Sequence, residues 1–145
     1  MTERGILDGT PGREQLKKTI GMLEGFKRNA TVAAVNVETG EYTLFSNKNT
    51  KWGDDWAMAA IASGSVPGVL QPAEINGNYY MDGGTVWNVN IGSAIQGCLE
   101  IVDDISKITI DIVFCTEGRN EHPITETSPH AWENWLRAKE ISHVH

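Results

Sequence analysis

Asp82 stands at the end of a short apolar run, Tyr79-Tyr80-Met81, and is followed by Gly83-Gly84. A carboxylate at a strand end, on a glycine turn, points past the edge of a sheet, where α/β folds hold their ligands. There it can orient a hydroxyl nucleophile or take its proton. Glycines at such a place admit positive φ or a close approach of backbone. The same three residues also make an ordinary turn, in which the aspartate bonds its own backbone. Taken alone, the residues leave both roles open. Ser63 and Ser65 fall in a breaker-rich loop, Ser63-Gly64-Ser65-Val66-Pro67-Gly68. They read as loop hydroxyls bonded to local backbone rather than as nucleophiles. His143 and His145 form a His-x-His pair at the end of the sequence with no further ligand cluster beside it, so no metal and no other cofactor is expected. Cys98 and Cys115 have neither metal spacing nor disulfide density, and read as small core residues of a reduced chain.

These side chains need a scaffold, and 145 residues are enough for one ordinary domain. The chain carries 12 basic and 19 acidic residues, a formal charge of −7. That balance argues against nucleic-acid binding and against attraction to an anionic membrane. No apolar run approaches the ~20 residues of a membrane-crossing helix. The first residues have no apolar segment that would act as a secretory signal, so a cytoplasmic protein is expected.

Leu16, Ile20, Leu23 and Phe26 form one apolar stripe and predict a helix over 12–26, with Thr10 as cap and Pro11 at its first position. Residues 31–37 (TVAAVNV) read as a buried strand, and 41–45 (EYTLF) as its hairpin partner across Thr39-Gly40. A short helix is expected from Asp54 or Asp55 through Ala62, then a turn at Asn76-Gly77-Asn78, a strand over 79–81 and a helix over 91–99. Residues 107–115 (KITIDIVFC) show the clearest strand alternation in the chain, and Ser128-Pro129 opens a last helix bearing Trp132 and Trp135. Trp52, Trp56, Trp132 and Trp135 are expected mostly in the core. Alternation of helices and strands predicts an α/β sheet with helices packed on it.

Residues 62–95 resemble the patatin-like phospholipase family. The resemblance rests on Ala62-Ser63-Gly64-Ser65-Val66-Pro67-Gly68, on a strand ending in Asp82-Gly83-Gly84, and on Asn88 a few residues later. Gly5-Ile6-Leu7-Asp8-Gly9-Thr10-Pro11 and Val35-Asn36-Val37-Glu38-Thr39-Gly40 extend it over about residues 5–115. Asn90 departs from it, standing where the family often has proline. The resemblance implies a three-layer α/β sheet with helices on both faces. It also implies hydrolysis of lipid acyl esters by a Ser–Asp dyad, with Asp82 as the base. Gly83, Gly84, Asn88, Ser65 and Pro67 would support the site, and no cofactor is implied.

The family's serine lies in Gly-x-Ser-x-Gly on a strand-to-helix elbow. No such pentapeptide occurs here; in Gly64-Ser65-Val66-Pro67-Gly68 a valine holds the nucleophile's place. The glycine-rich oxyanion loop is absent too. The chain therefore reads as the C-terminal half of a patatin-like domain, one partial domain over 1–145, without efficient turnover of its own. Expected partners are a lipid or other acyl ester, a membrane surface touched peripherally, and a chain that supplies the missing half. The alternative is a catalytically inactive binding or interaction module.

Overall fold

A computed structural model describes residues 6–113. The chain divides into two compact units, Met1–Ile108 and Thr109–His145. The expected last helix, and with it Trp132, Trp135, Cys115 and the four histidines, lies outside the described residues.

Among the described residues of the first unit, three α-helices accompany a four-stranded sheet. Helix α1 spans Thr10–Gly21 and ends a turn and a half before the predicted Phe26. Gly21 weakens the helix at that point, and Gly25 takes φ +110°, which a continuing helix does not allow. The cap also differs from expectation. Gly9 is the flanking residue, and Asp8 Oδ1 accepts the Thr10 N–H at 2.9 Å. Hydrogen bonding from the Thr10 side chain, and then from its backbone N–H, holds the Asp8 carboxyl below its ordinary pKa.

Strand β1 (Thr31–Asn36) pairs with β2 (Tyr42–Ser46) on one side. Its other neighbour is β4 (Asn78–Asp82), which in turn pairs with β3 (Ala73–Ile75). The order is β2-β1-β4-β3, and every pairing is antiparallel. Two short hairpins explain that geometry. At the β1–β2 turn Asn36 Oδ1 accepts the N–H groups of Glu38 and Thr39, at 2.9 and 3.1 Å. At the β3–β4 turn Asn76 and Gly77 both have positive φ, the pattern of a two-residue hairpin loop. Strand β3 was not foreseen, because Ala73-Glu74-Ile75 is too short to show a period.

Helix α2 (Asp54–Ser63) buries Trp56, Ala57, Ala59, Ile61 and Ala62. Both aspartates, Asp54 and Asp55, sit in its first turn, where the helix dipole favours them, and Gly53 is the flanking residue. On one face of the sheet Ala34, Phe45 and Tyr80 pack with Ile61, Ala62 and Ala73, and Leu16 joins them from α1. A second cluster joins Ile20, Trp56 and Ala57; the Phe26 ring stands edge-on to Trp52 and Trp56 at 4.7 Å from each.

Helix α3 (Ile91–Leu99) stands across a groove from the opposite face. Strand residues alternate sides, and the groove beside α3 is lined by Tyr42, Leu44 and Ser46 of β2, whereas Phe45 points to α2. Helix α2 packs on one face, α3 stands across a groove from the other, and the architecture is α/β. The α3 cap is Asn90, whose Oδ1 accepts the Ser93 N–H at 3.2 Å and whose Nδ2 donates to Ser93 Oγ at 2.7 Å. A proline at this position would lose both bonds.

One predicted element is corrected. No strand forms over residues 107–113. Lys107 ends a 3₁₀ turn, Ile105–Lys107, capped by Asp104 Oδ1 accepting the Ser106 N–H at 2.9 Å. Among the described residues that follow, Ile110, Ile112 and Val113 stay exposed. An alternating apolar pattern becomes a strand only where a neighbour completes its ladder, and 109–113 have none among the described residues.

Candidate active site

Asp82 ends β4 beside Ala34 of the central strand. Its backbone N–H donates to the Ser65 carbonyl at 3.0 Å, and its Oδ1 accepts the Gly84 N–H at 2.8 Å. The second bond caps the 3₁₀ turn Gly83–Thr85. The two readings open at the sequence level therefore coincide in part: Asp82 holds its own turn and still faces outward. It lines a cleft of about 380 Å³, shared with Ser63, Tyr42, Trp87 and Asn88.

The two glycines are required by packing rather than by φ, since neither takes a positive value. A Cβ on Gly83 would lie 2.5 Å from the Ala33 carbonyl oxygen, so the turn presses directly on the backbone of β1. A Cβ on Gly84 would lie 2.9 Å from Asn88 Oδ1 and 3.2 Å from Asp82 Oδ1. The missing side chain leaves room for the Asp82 carboxylate and the Asn88 amide beside this turn. The sequence pattern admitted both reasons for glycine, and close approach is the operative one.

The loop before β3 separates its two serines. Ser65 is 2 % exposed, and its hydroxyl donates to the Ile61 carbonyl at 2.8 Å. With its carbonyl engaged by Asp82, Ser65 is a strut between α2 and the Asp82 turn. Ser63, at the end of α2, lines the cleft instead. Pro67 lies half-buried in the turn that follows, where Val69 and Leu70 donate to the Val66 carbonyl. Gly68 there takes φ +80°, and its carbonyl accepts the Ile6 N–H. The loop is thus stitched to the start of the described chain as well as to Asp82.

Two residues of the cleft carried no recognisable sequence signal. Tyr42 stacks at a tilt on Trp87, with ring centres 5.2 Å apart, and its hydroxyl donates to the Trp87 carbonyl at 3.4 Å. Burial, and then the negative charge of Asp82, push the Tyr42 phenol above its ordinary pKa. Trp87 is 65 % exposed. Asn88 is exposed as well, its amide oxygen over Gly84. Among the described residues no group of three or more His, Cys, Asp or Glu side chains is placed to hold a metal ion. Nor, among them, is any helix long and apolar enough to cross a membrane.

A strand-end carboxylate on a Gly-Gly turn, braced from behind by a serine loop and open to a cleft, suits abstraction of a proton from a hydroxyl. The model of the patatin-like phospholipase family matches residues 1–95, and the chain belongs to this family of lipid acyl hydrolases. The match contains Asp82, Gly83, Gly84 and Asn88 and stops within α3, short of the residue 115 to which the resemblance reached. No curated protein and no solved structure matches the chain.

Proposed function

We propose that Asp82 is the base of a Ser–Asp dyad that hydrolyses carboxylic esters of lipids, and that the serine comes from outside these 145 residues. One observation carries this reading. The Asp82 carboxylate is fixed through a single oxygen by Gly84 and lines an open cleft, in a chain of an acyl-hydrolase family. A Gly-x-Ser-x-Gly elbow would present its hydroxyl to that cleft. As the serine oxygen attacks the ester carbonyl, its proton passes to Asp82 and then to the departing alcohol. Water next attacks the acyl-serine, gives its proton to Asp82, and the fatty acid leaves as the serine regains its hydrogen. Gly83, Gly84 and Asn88 shape the turn, and Ser65 with Pro67 braces it. Oxyanion donors belong with the elbow, and they ordinarily supply a large share of the rate.

The test is reconstitution. The chain alone is expected to show no efficient turnover of a p-nitrophenyl ester. Co-expression with an elbow-bearing half of a patatin-like domain is expected to give hydrolysis, and Asp82→Asn in that assembly to lower it by about 10²–10⁴-fold. Turnover by the chain alone that vanishes in Asp82→Ala would place the nucleophile within it. An assembly that is correctly formed yet inert would favour a binding module.

A further inference from the structure

Helix α3 is turned inside out with respect to its own sheet. Towards the groove beside β2 it presents Gly92, Ser93, Gln96, Gly97 and Glu100. Ile91, Ala94, Ile95, Cys98 and Leu99 recur at i, i+3, i+4, i+7 and i+8, which is one face of a helix. That face is the apolar one, and none of its residues lines the groove. Such a stripe is what a surface helix ordinarily buries against a core. Here no α3 residue is buried, and neither core cluster includes one. Ile91, Ala94 and Leu99 are exposed, and Ile95 and Cys98 half-buried. The exposed apolar surface runs on past both ends of the helix, through Val89 before it and Ile101 and Ile105 after it.

This face carries its own complement. Ile91, Ile95 and Leu99 form one row of large side chains four residues apart, and Ala94 and Cys98 form the shallow row beside it. When two such helices cross, the tall row of each enters the shallow row of the other. That is the packing of i±4 ridges into i±4 grooves, at about −50° between axes. A two-fold axis through the crossing makes the two contacts alike. Charge favours the same occupant. The chain carries −7, yet residues 83–99 hold no charged group, so two copies meeting here bring no like charges together. Glu100 lies on the groove side and is paired with Lys48. The face offers no charge by which an acidic or a basic partner would be selected. A helix that lies in a lipid surface is ordinarily rich in Lys and Arg on its polar side, and α3 has neither.

We infer that the outward face of α3 docks a second copy of this chain, the two α3 helices packing across a two-fold axis. The contact is one helix of nine residues and its apolar flanks. That is at the small end of specific interfaces, so the association is micromolar rather than permanent. The inference does not draw on the reading of Asp82 as a base.

Sedimentation of the full chain over about 1–200 µM tests this. The 15.9 kDa mass is expected to double as concentration rises. Added salt is expected to strengthen the dimer, because it screens the repulsion of two acidic chains and the contact itself is uncharged. Ile95→Glu places a carboxylate at the centre of the face and is expected to weaken association by at least about tenfold. Gln96→Glu adds the same charge on the groove side and is expected to leave association nearly unchanged. Circular dichroism checks that both variants fold. The native chain supplies a readout that needs no variant. Cys98 is a free thiol on the docking face, and its alkylation, followed by mass spectrometry, is expected to slow several-fold as the dimer forms. A chain that stays monomeric throughout overturns the inference. So does a dimer that salt weakens, one that survives in folded Ile95→Glu, or one that leaves Cys98 as reactive as before. If the chain is monomeric and phosphatidylcholine vesicles or an elbow-bearing half-domain protect Cys98, that occupant owns the face and the inference falls.

Discussion

The turn that carries Asp82 and the helix that follows it differ in how the rest of the molecule holds them. Residues 82–84 are determined from three sides. β1 presses on Gly83, the Ser65 carbonyl takes the Asp82 N–H, and Gly84 binds the carboxylate. Helix α3 buries none of its residues. It is stopped at its start by Asn90 and tied to the loop after β2 by the Lys48–Glu100 pair. Its apolar residues Ile91 and Leu99 stay exposed, as do Val86, Trp87 and Val89 before it and Ile101 and Ile105 after it. From Gly83 to Leu99 the sequence holds no charged residue at all. A rigid turn positions chemistry, whereas an uncharged segment with little buried surface is free to adapt to what it meets.

The largest effect is expected where the turn meets the sheet. Gly83→Ala forces a methyl group to 2.5 Å from the Ala33 carbonyl oxygen, and backbone rather than a flexible side chain must give way. Overpacking of this kind costs about 1–3 kcal/mol, and a shift of β1 against β4 follows. Chemical denaturation should show the loss, with cross-strand contacts between Ala34 and Asp82 disturbed in NMR spectra. A Gly83→Ala chain as stable as the native one would mean that the turn is not pressed on β1.

That contrast also explains how far the sequence could be read. Elements that close locally were legible. The β1–β2 hairpin announces itself through apolar run, Thr39-Gly40 and alternation, and the spans of α2 and α3 were legible too, although Gly53 rather than an aspartate flanks α2 and the Asn90 cap of α3 was not read. Asp82 stood out at a strand end before two glycines, a pattern that left a turn and a base both open until the resemblance of residues 62–95 was added. What was hidden depends on distant partners. Tyr42 and Trp87 lie 45 residues apart and meet only because β2 and the Asp82 turn flank β1. Ser63 and Ser65 look alike in the chain, and only the last turn of α2 decides which is buried. Residues 107–113 show why a pattern is not an element: the alternation is plain, and the ladder it calls for is missing among the described residues.

A smaller effect is expected at α3. The Lys48–Glu100 pair is well exposed on both sides, and such pairs contribute about 0–1 kcal/mol. Lys48→Ala should scarcely move global stability. Amide exchange in α3 should nevertheless quicken, because that bridge ties a helix without buried residues, while exchange at Gly84 and Asp82 stays unchanged. Equal quickening at both places would show that the turn and the helix open as one unit, and the distinction drawn between them would fall.

The subtlest consequence joins the two regions through Tyr42. Its pKa is raised by burial and by the negative charge of Asp82. A raised folded pKa means that the folded chain keeps its phenol proton where the unfolded chain has begun to lose it. The associated stability is present below the ordinary tyrosine range and is lost as pH climbs through the folded value. Asp82→Asn removes the second cause and leaves the first. Ultraviolet titration should therefore find Tyr42 ionising at lower pH in Asp82→Asn than in the native chain, yet still above an exposed tyrosine. Tyr42→Phe identifies its share of the signal against Tyr79 and Tyr80. If the titration is unmoved by Asp82→Asn, the carboxylate does not face Tyr42. Tyr42 would then owe its raised pKa to burial alone, and the cleft would not bring the phenol and the carboxylate together.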